Sequence, residues 1–358
     1  MMKAGLTIEE LAAEIMRQNG IKEDYVVNSP NIRMEAWDTD LFLRVMDDNM
    51  ADRLEPLEIS ENAHRQIGTR LSIPVKYYNR MLAEAPHLLT QNVNHWLTSN
   101  PEQRMLRVMN GKVRAFLSNR YLRIDNHEVS CAVLPIVGEI PNVNFVSNEI
   151  TDNHLYIKLV NPNLQCELSP GRTVQAGLAV CNSETGLGTF SVSPLIYFPE
   201  FETGMIADTG TAKRTHSGPI YRAETNFLLR PESFLMSEDN AFLEKIRKAV
   251  HDALDETLFA QLIERMRESI DARIDTSDVP GVVNHASSEF GITDTEQSGI
   301  LHHLLDRNDL SLYGLANAVT RQSQDSESYE RATDLEVIGY KMLTMPQSQW
   351  NRINQPAA

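Results

Sequence analysis

The chain has 358 residues, of which 42% are hydrophobic and 23% charged, with a formal net charge of −16. Those proportions exclude a disordered chain and predict two or three domains whose cores need neither disulfide nor metal staples. No apolar run approaches the roughly 18 residues of a membrane helix, and the start lacks the charged-then-apolar pattern of a signal peptide, so the cytoplasm is the expected compartment.

Thr7 with Glu10 three residues on has capping-box spacing and opens a first helix, Glu9 to Asn19. Ile32 to Val45 alternates in part and predicts a strand or two. Helices follow over Ser60 to Leu71, Val75 to Ala83 after Ser72-Ile73-Pro74, and Pro86 to Leu97, ending at the turn Ser99-Asn100-Pro101. The period then changes from 3.6 to 2. Arg104 to Met109 and Lys112 to Leu117, separated by Asn110-Gly111, predict a hairpin with a type I′ turn, because both turn residues need positive φ. Asp125 or Asn126 caps a short helix that Pro135 is expected to stop. Asn144 to Glu149 with His154 to Val160 reads as a second hairpin. Thr173 to Cys181 and Thr189 to Phe198 read as longer strands joined by Asn182-Ser183-Glu184-Thr185-Gly186-Leu187-Gly188. From about Asn240 to Arg273, apolar residues recur in steps of four from Phe242 to Ile270 and predict one long amphipathic helix. Its stripe needs a partner, either the sheet domain or another subunit. A capping box at Thr293 and Glu296 and helices near Leu312–Ser323 and Tyr329–Leu343 complete a bundle. The expected fold is α+β: a mostly helical region 1–101, a central antiparallel domain 102–235 with hairpin and helix, and a helical region 236–358.

The charge is unevenly spread. Lys and Arg number 10 against 15 Asp and Glu over residues 1–100, 12 against 13 over 101–235, and 11 against 21 over 236–358. Gln103 to Arg123 holds six basic residues (Arg104, Arg107, Lys112, Arg114, Arg120 and Arg123) and no acidic one. With a plain two-residue turn, Met109 faces Lys112, Arg107 faces Arg114, and Met105 faces Phe116, all on one side. Like charges directly opposite are destabilising and so ask for a partner. Three readings are open for that face. It suits phosphates and stacked bases of a single strand; acids of this chain can cover it as salt bridges; or it attracts an acidic protein. Lys213 and Arg214, in Lys213-Arg214-Thr215-His216-Ser217-Gly218, form a smaller basic stretch after the glycine-bearing loop Thr203 to Thr211, and a mobile surface loop is the plainer account of it.

Catalytic signals are few. His302-His303 with Asp306 lacks HExxH spacing and a third ligand, so no metal is expected. Gly186-Leu187-Gly188 lies between two strands and fails as a dinucleotide fingerprint. Ser183, Glu184 and His216 lack a GxSxG elbow. Cys131, Cys166 and Cys181 form no CxxC pair and read as buried free thiols. No Walker lysine motif occurs. The expectation is no enzyme and no cofactor.

The hairpin residues Met105-Leu106-Arg107-Val108 and Asn110-Gly111-Lys112-Val113-Arg114-Ala115-Phe116-Leu117, the loop Asn182-Ser183-Glu184-Thr185-Gly186, and Tyr313-Gly314-Leu315-Ala316-Asn317-Ala318-Val319-Thr320 with Tyr329-Glu330-Arg331-Ala332-Thr333 resemble the phage- and plasmid-associated family known as domain of unknown function 932. The resemblance spans roughly residues 60–350. After Tyr197 the chain departs from it, with Phe198-Pro199-Glu200-Phe201-Glu202-Thr203-Gly204 where members often carry a cysteine and an Asn-Gly pair. It implies a mobile-element origin but no reaction. More remotely, the order hairpin, helix, sheet is similar to that of phage single-strand annealing proteins. This implies an oligomer that holds single-stranded DNA on the hairpin residues already derived, Arg107, Lys112 and Arg114, with Arg120 and Arg123 behind them, and the composition of the basic stretches adds Arg104, Phe116, Lys213 and Arg214 as candidate contact residues. Arg107→Glu with Arg114→Glu is then expected to abolish binding and leave the fold intact. The alternative is an interaction factor, such as an inhibitor of a host defence system, acting through the acidic helical region.

Overall fold

The computed structural model describes residues 2–3, 5–47, 51–52, 54–207, 212–214, 228–229, 240–275 and 277–355, with backbone alone at 212–214, 228–229 and 240–243. The described elements are α1 (Ile8–Asn19), β1 (Lys22–Asn28), β2 (Ile32–Trp37), β3 (Asp40–Val45), β4 (Leu57–Ile59), α2 (Glu61–Arg70), α3 (Val75–Glu84), α4 (Pro86–Ser99), β5 (Gln103–Met109), β6 (Lys112–Ser118) and α5 (Asn126–Gly138). Then follow β7 (Asn144–Ile150), β8 (Leu155–Ser169), β9 (Arg172–Asn182), β10 (Phe190–Phe198), β11 (Thr203–Ile206), β12 (Ala212–Arg214) and β13 (Leu228–Leu229). Helices α6 (Asn240–Ala253), α7 (Glu256–Asp271), α8 (Val279–Phe290), α9 (Asp294–Arg307), α10 (Leu312–Gln322), α11 (Tyr329–Leu343) and α12 (Gln347–Ile353) close the chain. The fold is α+β, as the change of period predicts.

One sheet has the order β13-β1-β5-β6-β4-β3-β2 and is antiparallel except where β4 runs parallel to β6. The other has the order β11-β10-β9-β8-β7, with β12 also paired to β10. Strands from both sides of the Ser99-Asn100-Pro101 turn thus share the first sheet. Helices α2, α3 and α4 cover one of its faces, where Ile67, Tyr78, Leu89 and Val93 pack on Leu43, Leu106, Val113 and Phe116. The second sheet packs Leu155, Ile157, Leu178 and Phe190 against α1, α5 and α6. A third core lies among α7 to α12 and the far ends of β8 to β11, where Phe198 and Met205 meet Leu315 and Leu335.

Local signals account for most of these elements. Thr7 and Thr293 each close a capping box with Glu10 and Glu296, and Ser60 caps α2. Two helices differ from expectation. Pro135 lies inside α5, and Cys131, whose carbonyl it leaves without an intrahelical donor, is exposed, so solvent lowers the cost. The long helix is two, because Asp255 takes extended backbone and accepts a hydrogen bond from the Leu258 N–H, capping a new start. The broken stripe finds its partners within the chain: Ile246 and Val250 pack on the second sheet, Leu262 and Met266 in the third core. Cys131 is therefore not the buried thiol expected of it, whereas burial pushes the Cys181 thiol up to about 12. The Gly-rich loop begins as strand β11, and residues 208–211 and Thr215 to Gly218 lie outside the described residues.

The packing of α2 on α3 gives a pH dependence. His64 Nδ1 lies 2.9 Å from the Tyr78 hydroxyl, and burial lowers its pKa from 6.5 to about 4. As pH falls below 6.5 the unfolded chain binds this proton first, so folding stability declines until the folded pKa near 4 is reached. Between pH 7 and 4.5 the His64 contribution is a loss of about 2–3 kcal/mol. Urea unfolding at both pH values is expected to show a smaller loss for His64→Gln than for the parent, by about that amount.

Candidate functional site

The hairpin forms where the sequence places it, with Asn110 at φ 52° and Gly111 at φ 71°. A β-bulge between Arg107 and Val108 changes its register. Val108 faces Val113, but Arg107 faces Ala115, Leu106 faces Phe116 and Met105 faces Leu117. Arg107 and Arg114 are therefore not directly opposed. The strand on the other side of β5 supplies the missing counter-charge, because Asp24 of β1 is the cross-strand partner of Arg107.

Both faces of the hairpin are buried. Arg107 is 2% exposed. Its Nε and Nη2 donate to the two Asp24 carboxylate oxygens at 2.9 and 3.1 Å, Nη2 also donates to Asp125, and Nη1 donates to the Glu184 carbonyl at 3.0 Å. Arg123 lies 3.5 Å from Asp24. Arg114 donates from Nη1 to Glu184 Oε2 at 3.0 Å and from Nη2 to the Asp152 carbonyl at 3.3 Å. Glu184 Oε1 accepts from Lys22 Nζ and, at 2.7 Å, from the Asn126 N–H in the first turn of α5. Burial by itself would raise the Glu184 carboxyl, but Lys22, Arg107 and Arg114 outweigh it and hold it well below the usual carboxylate range. Asn182, Ser183, Glu184 and Thr185 are at most 1% exposed, so the β9–β10 connection enters the interior at its start and reaches the surface only from Gly186 on. Gly186 completes it at φ 79°, where a Cβ would lie 2.7 Å from Leu117 Cδ2.

The expected contact residues thus divide. Arg107, Arg114 and Arg123 belong to this network; Arg104 is buried with its guanidinium 2.7 Å from Glu102, and Phe116 is wholly buried in the core under α2. Lys112 and Arg120 are exposed. Lys213 and Arg214 sit on β12, opposite Ser191 and Phe190, with side chains outside the described residues. The flat basic face is absent because acids of this chain cover it. Charge reversal at Arg107 would set a carboxylate against Asp24 and Asp125 and is expected to unfold the protein, which corrects the expectation of an intact fold.

Beside the network lies a cavity of about 880 Å³. Its walls come from the hairpin turn (Met109, Asn110, Lys112), the entry to α2, the β7–β8 turn and the first turns of α11. Five carboxylates line it, Glu58, Glu61, Asp152, Glu330 and Asp334, against Arg65, Lys112 and the already paired Arg114. Thr151 Oγ1 donates to Glu330, whose Oε1 lies 3.9 Å from His154 Nδ1. Burial pushes His154 below its usual value, so it is neutral near pH 7, and burial raises the Asp334 carboxyl. Among the described residues no group of three or more His, Cys, Asp and Glu has the arrangement to hold a metal. His302 instead pairs with Asp306 at 3.2 Å and His303 with Asp325 at 2.9 Å. Ser183 is buried, and His216 lies outside the described residues. The cavity carboxylates escaped sequence reasoning because they come from three segments separated by about 90 and about 180 residues, and only the excess of acids in the last third hinted at them.

Comparison with family models, with curated proteins and with solved structures finds no match.

Proposed function

We propose that the protein is a non-enzymatic interaction factor whose acidic cavity, between the hairpin turn and α11, takes a basic segment of a partner protein. The observation that carries this reading is the placement of charge: the hairpin arginines Arg104, Arg107 and Arg114 are neutralised by acids of this chain, while Glu58, Glu61, Asp152, Glu330 and Asp334 converge on one cavity. A cavity in which one sign of charge is in excess, here five carboxylates against three cations, concentrates ligands of the other sign and speeds their encounter. No helix among the described residues is long and apolar enough to cross a membrane. A second reading, single-stranded nucleic-acid binding by a homo-oligomer, is favoured by the exposure of Arg65, Arg70, Lys112 and Arg120.

Fluorescence anisotropy with a labelled lysine- and arginine-rich peptide and a labelled single-stranded oligonucleotide, each at two salt concentrations, separates the two. The peptide is expected to bind with salt-sensitive affinity, and Glu330→Gln with Asp334→Asn to weaken it by about tenfold, the order expected of two solvent-facing charge pairs. Salt-sensitive oligonucleotide binding by a protein that light scattering shows to be a large oligomer would overturn the proposal in favour of the second reading.

A further inference from the structure

Beside the acidic cavity, with Arg65 and Leu187 as shared walls, lies a groove of about 600 Å³. Arg65, Gln66 and Arg70 of α2 line it together with Tyr121 and the Gly186 to Gly188 part of the β9–β10 connection. No described residue on its wall is acidic, although the chain carries a net charge of −16. Arg65 and Arg70 are exposed, and neither has a carboxylate within ion-pair distance among the described residues. Arg65 Nη2 donates instead to Asn62 Oδ1 at 3.2 Å. Burial lowers the Arg104 pKa, Glu102 raises it and Arg70 lowers it again, so Arg70 is within electrostatic reach of a further guanidinium. Charge therefore changes sign across the shared wall, from an excess of carboxylates in the cavity to two cations without counter-charge in the groove.

The groove is built before anything binds. Gln66 Nε2 donates to the Thr185 carbonyl at 2.7 Å, and its Oε1 accepts from the Phe116 N–H at 2.7 Å, which ties α2 to both the β9–β10 connection and the hairpin. A wall held in this way spares a ligand the cost of ordering it. The two cations also have a definite spacing. Residues five apart on a helix stand about 7.5 Å apart along its axis. Alternate side chains of an extended segment, which lie on one side of it, are about 7 Å apart.

We propose that the partner segment carries its charge in two blocks: a basic part that occupies the cavity and, beyond the crossing at Leu187, acidic residues at alternate positions that pair with Arg65 and Arg70. This assignment rests on the cavity taking a basic segment and adds the second half of the interface. Opposite charges on either side of a fixed rim set the register of such a segment as well as its affinity. A nucleic-acid strand is the poorer occupant, because its charge has one sign throughout and a strand running on from the groove would meet the cavity carboxylates.

The test is fluorescence anisotropy of the full chain with four labelled peptides: a lysine- and arginine-rich block followed by Glu-Ser-Glu, the same blocks in reverse order, the same residues evenly mixed, and the basic block alone. One of the two block orders is expected to bind about three- to tenfold more tightly than the mixed peptide, the order of two exposed ion pairs. Arg70→Gln is expected to remove that advantage. Arg70 is exposed in the last turn of α2, so the variant keeps its fold. Arg80→Gln, the same charge change at an exposed site on α3 that lines neither the cavity nor the groove, is expected to leave the advantage intact. Equal binding of block and mixed peptides, or an advantage that survives Arg70→Gln, would overturn the two-block assignment while binding of the basic block alone keeps the cavity reading in place. Failure of the basic block to bind would overturn both. Binding of a single-stranded oligonucleotide that weakens in Arg70→Gln would give the groove to phosphates and likewise overturn the proposal.

Discussion

Glu184→Gln is expected to destabilise the protein by about 3–5 kcal/mol, the cost of removing one partner from a buried ion network. The substitution keeps the shape of the side chain, so the loss comes from charge. Lys22, Arg107 and Arg114 would face a neutral amide at 0% side-chain exposure, too deep for water to compensate. The Asn126 N–H would lose a charged acceptor at the start of α5 as well. Urea unfolding at pH 7 checks this, and a change below about 1 kcal/mol would mean that water reaches the network. The same carboxyl sets the acid limit of the fold. Its pKa lies below the unfolded value of 4.5, so its contribution is complete above pH 4.5 and is lost as pH falls through the folded value. The Glu184 component of acid unfolding is therefore expected only below that pH and is lost in Glu184→Gln, whereas the His64 component above it is common to both proteins.

The second large effect concerns the helix that carries two cavity carboxylates. Helix α11 docks on the second sheet through Lys158, 1% exposed, whose Nζ donates to Glu336 Oε2 at 2.7 Å and to Thr333 Oγ1 at 2.9 Å. The ammonium also sits 4.6 Å from the Tyr329 ring centroid. Lys158→Met is expected to cost about 3–5 kcal/mol, because Glu336 would remain buried without a counter-charge. Burial already raises the Glu336 carboxyl. Without Lys158 it rises further, so the folded variant holds a proton that the unfolded chain releases, and its stability falls as pH rises from 5 to 8. Adding Glu336→Leu removes the orphaned charge and is expected to restore parental stability or exceed it. A double-mutant cycle in urea measures this, and additive losses would show that the two side chains act independently. Because Glu330 and Asp334 share α11, Lys158→Met is also expected to weaken binding at the cavity, and the double variant to recover it.

What the sequence by itself determined is what neighbours along the chain decide. Asn110-Gly111 determined a hairpin because only left-handed backbone closes that turn, and Thr7, Ser60 and Thr293 determined helix starts because their side chains reach N–H groups three residues on. Alternation and the 3.6 period separated sheet from helix, and hence gave the α+β class. The cation-bearing hairpin was legible too, as was the need of its arginines for a partner.

The partner itself was decided by tertiary structure. Asp24 and Glu184 lie 83 and 77 residues from Arg107 and meet it only through strand pairing and the inward β9–β10 loop. A single bulge moved Arg107 away from Arg114, and no periodicity encodes a one-residue insertion in register. Likewise, Asp255 broke an unbroken apolar stripe, since a cap competes locally with a pattern that spans both helices. The hairpin and the loop segment Asn182 to Thr185, far apart along the chain, fold into one buried network. Periodicity and capping are short-ranged, whereas desolvation makes a buried charge depend on whichever opposite charge the fold brings within about 3 Å, and that distance is set by topology.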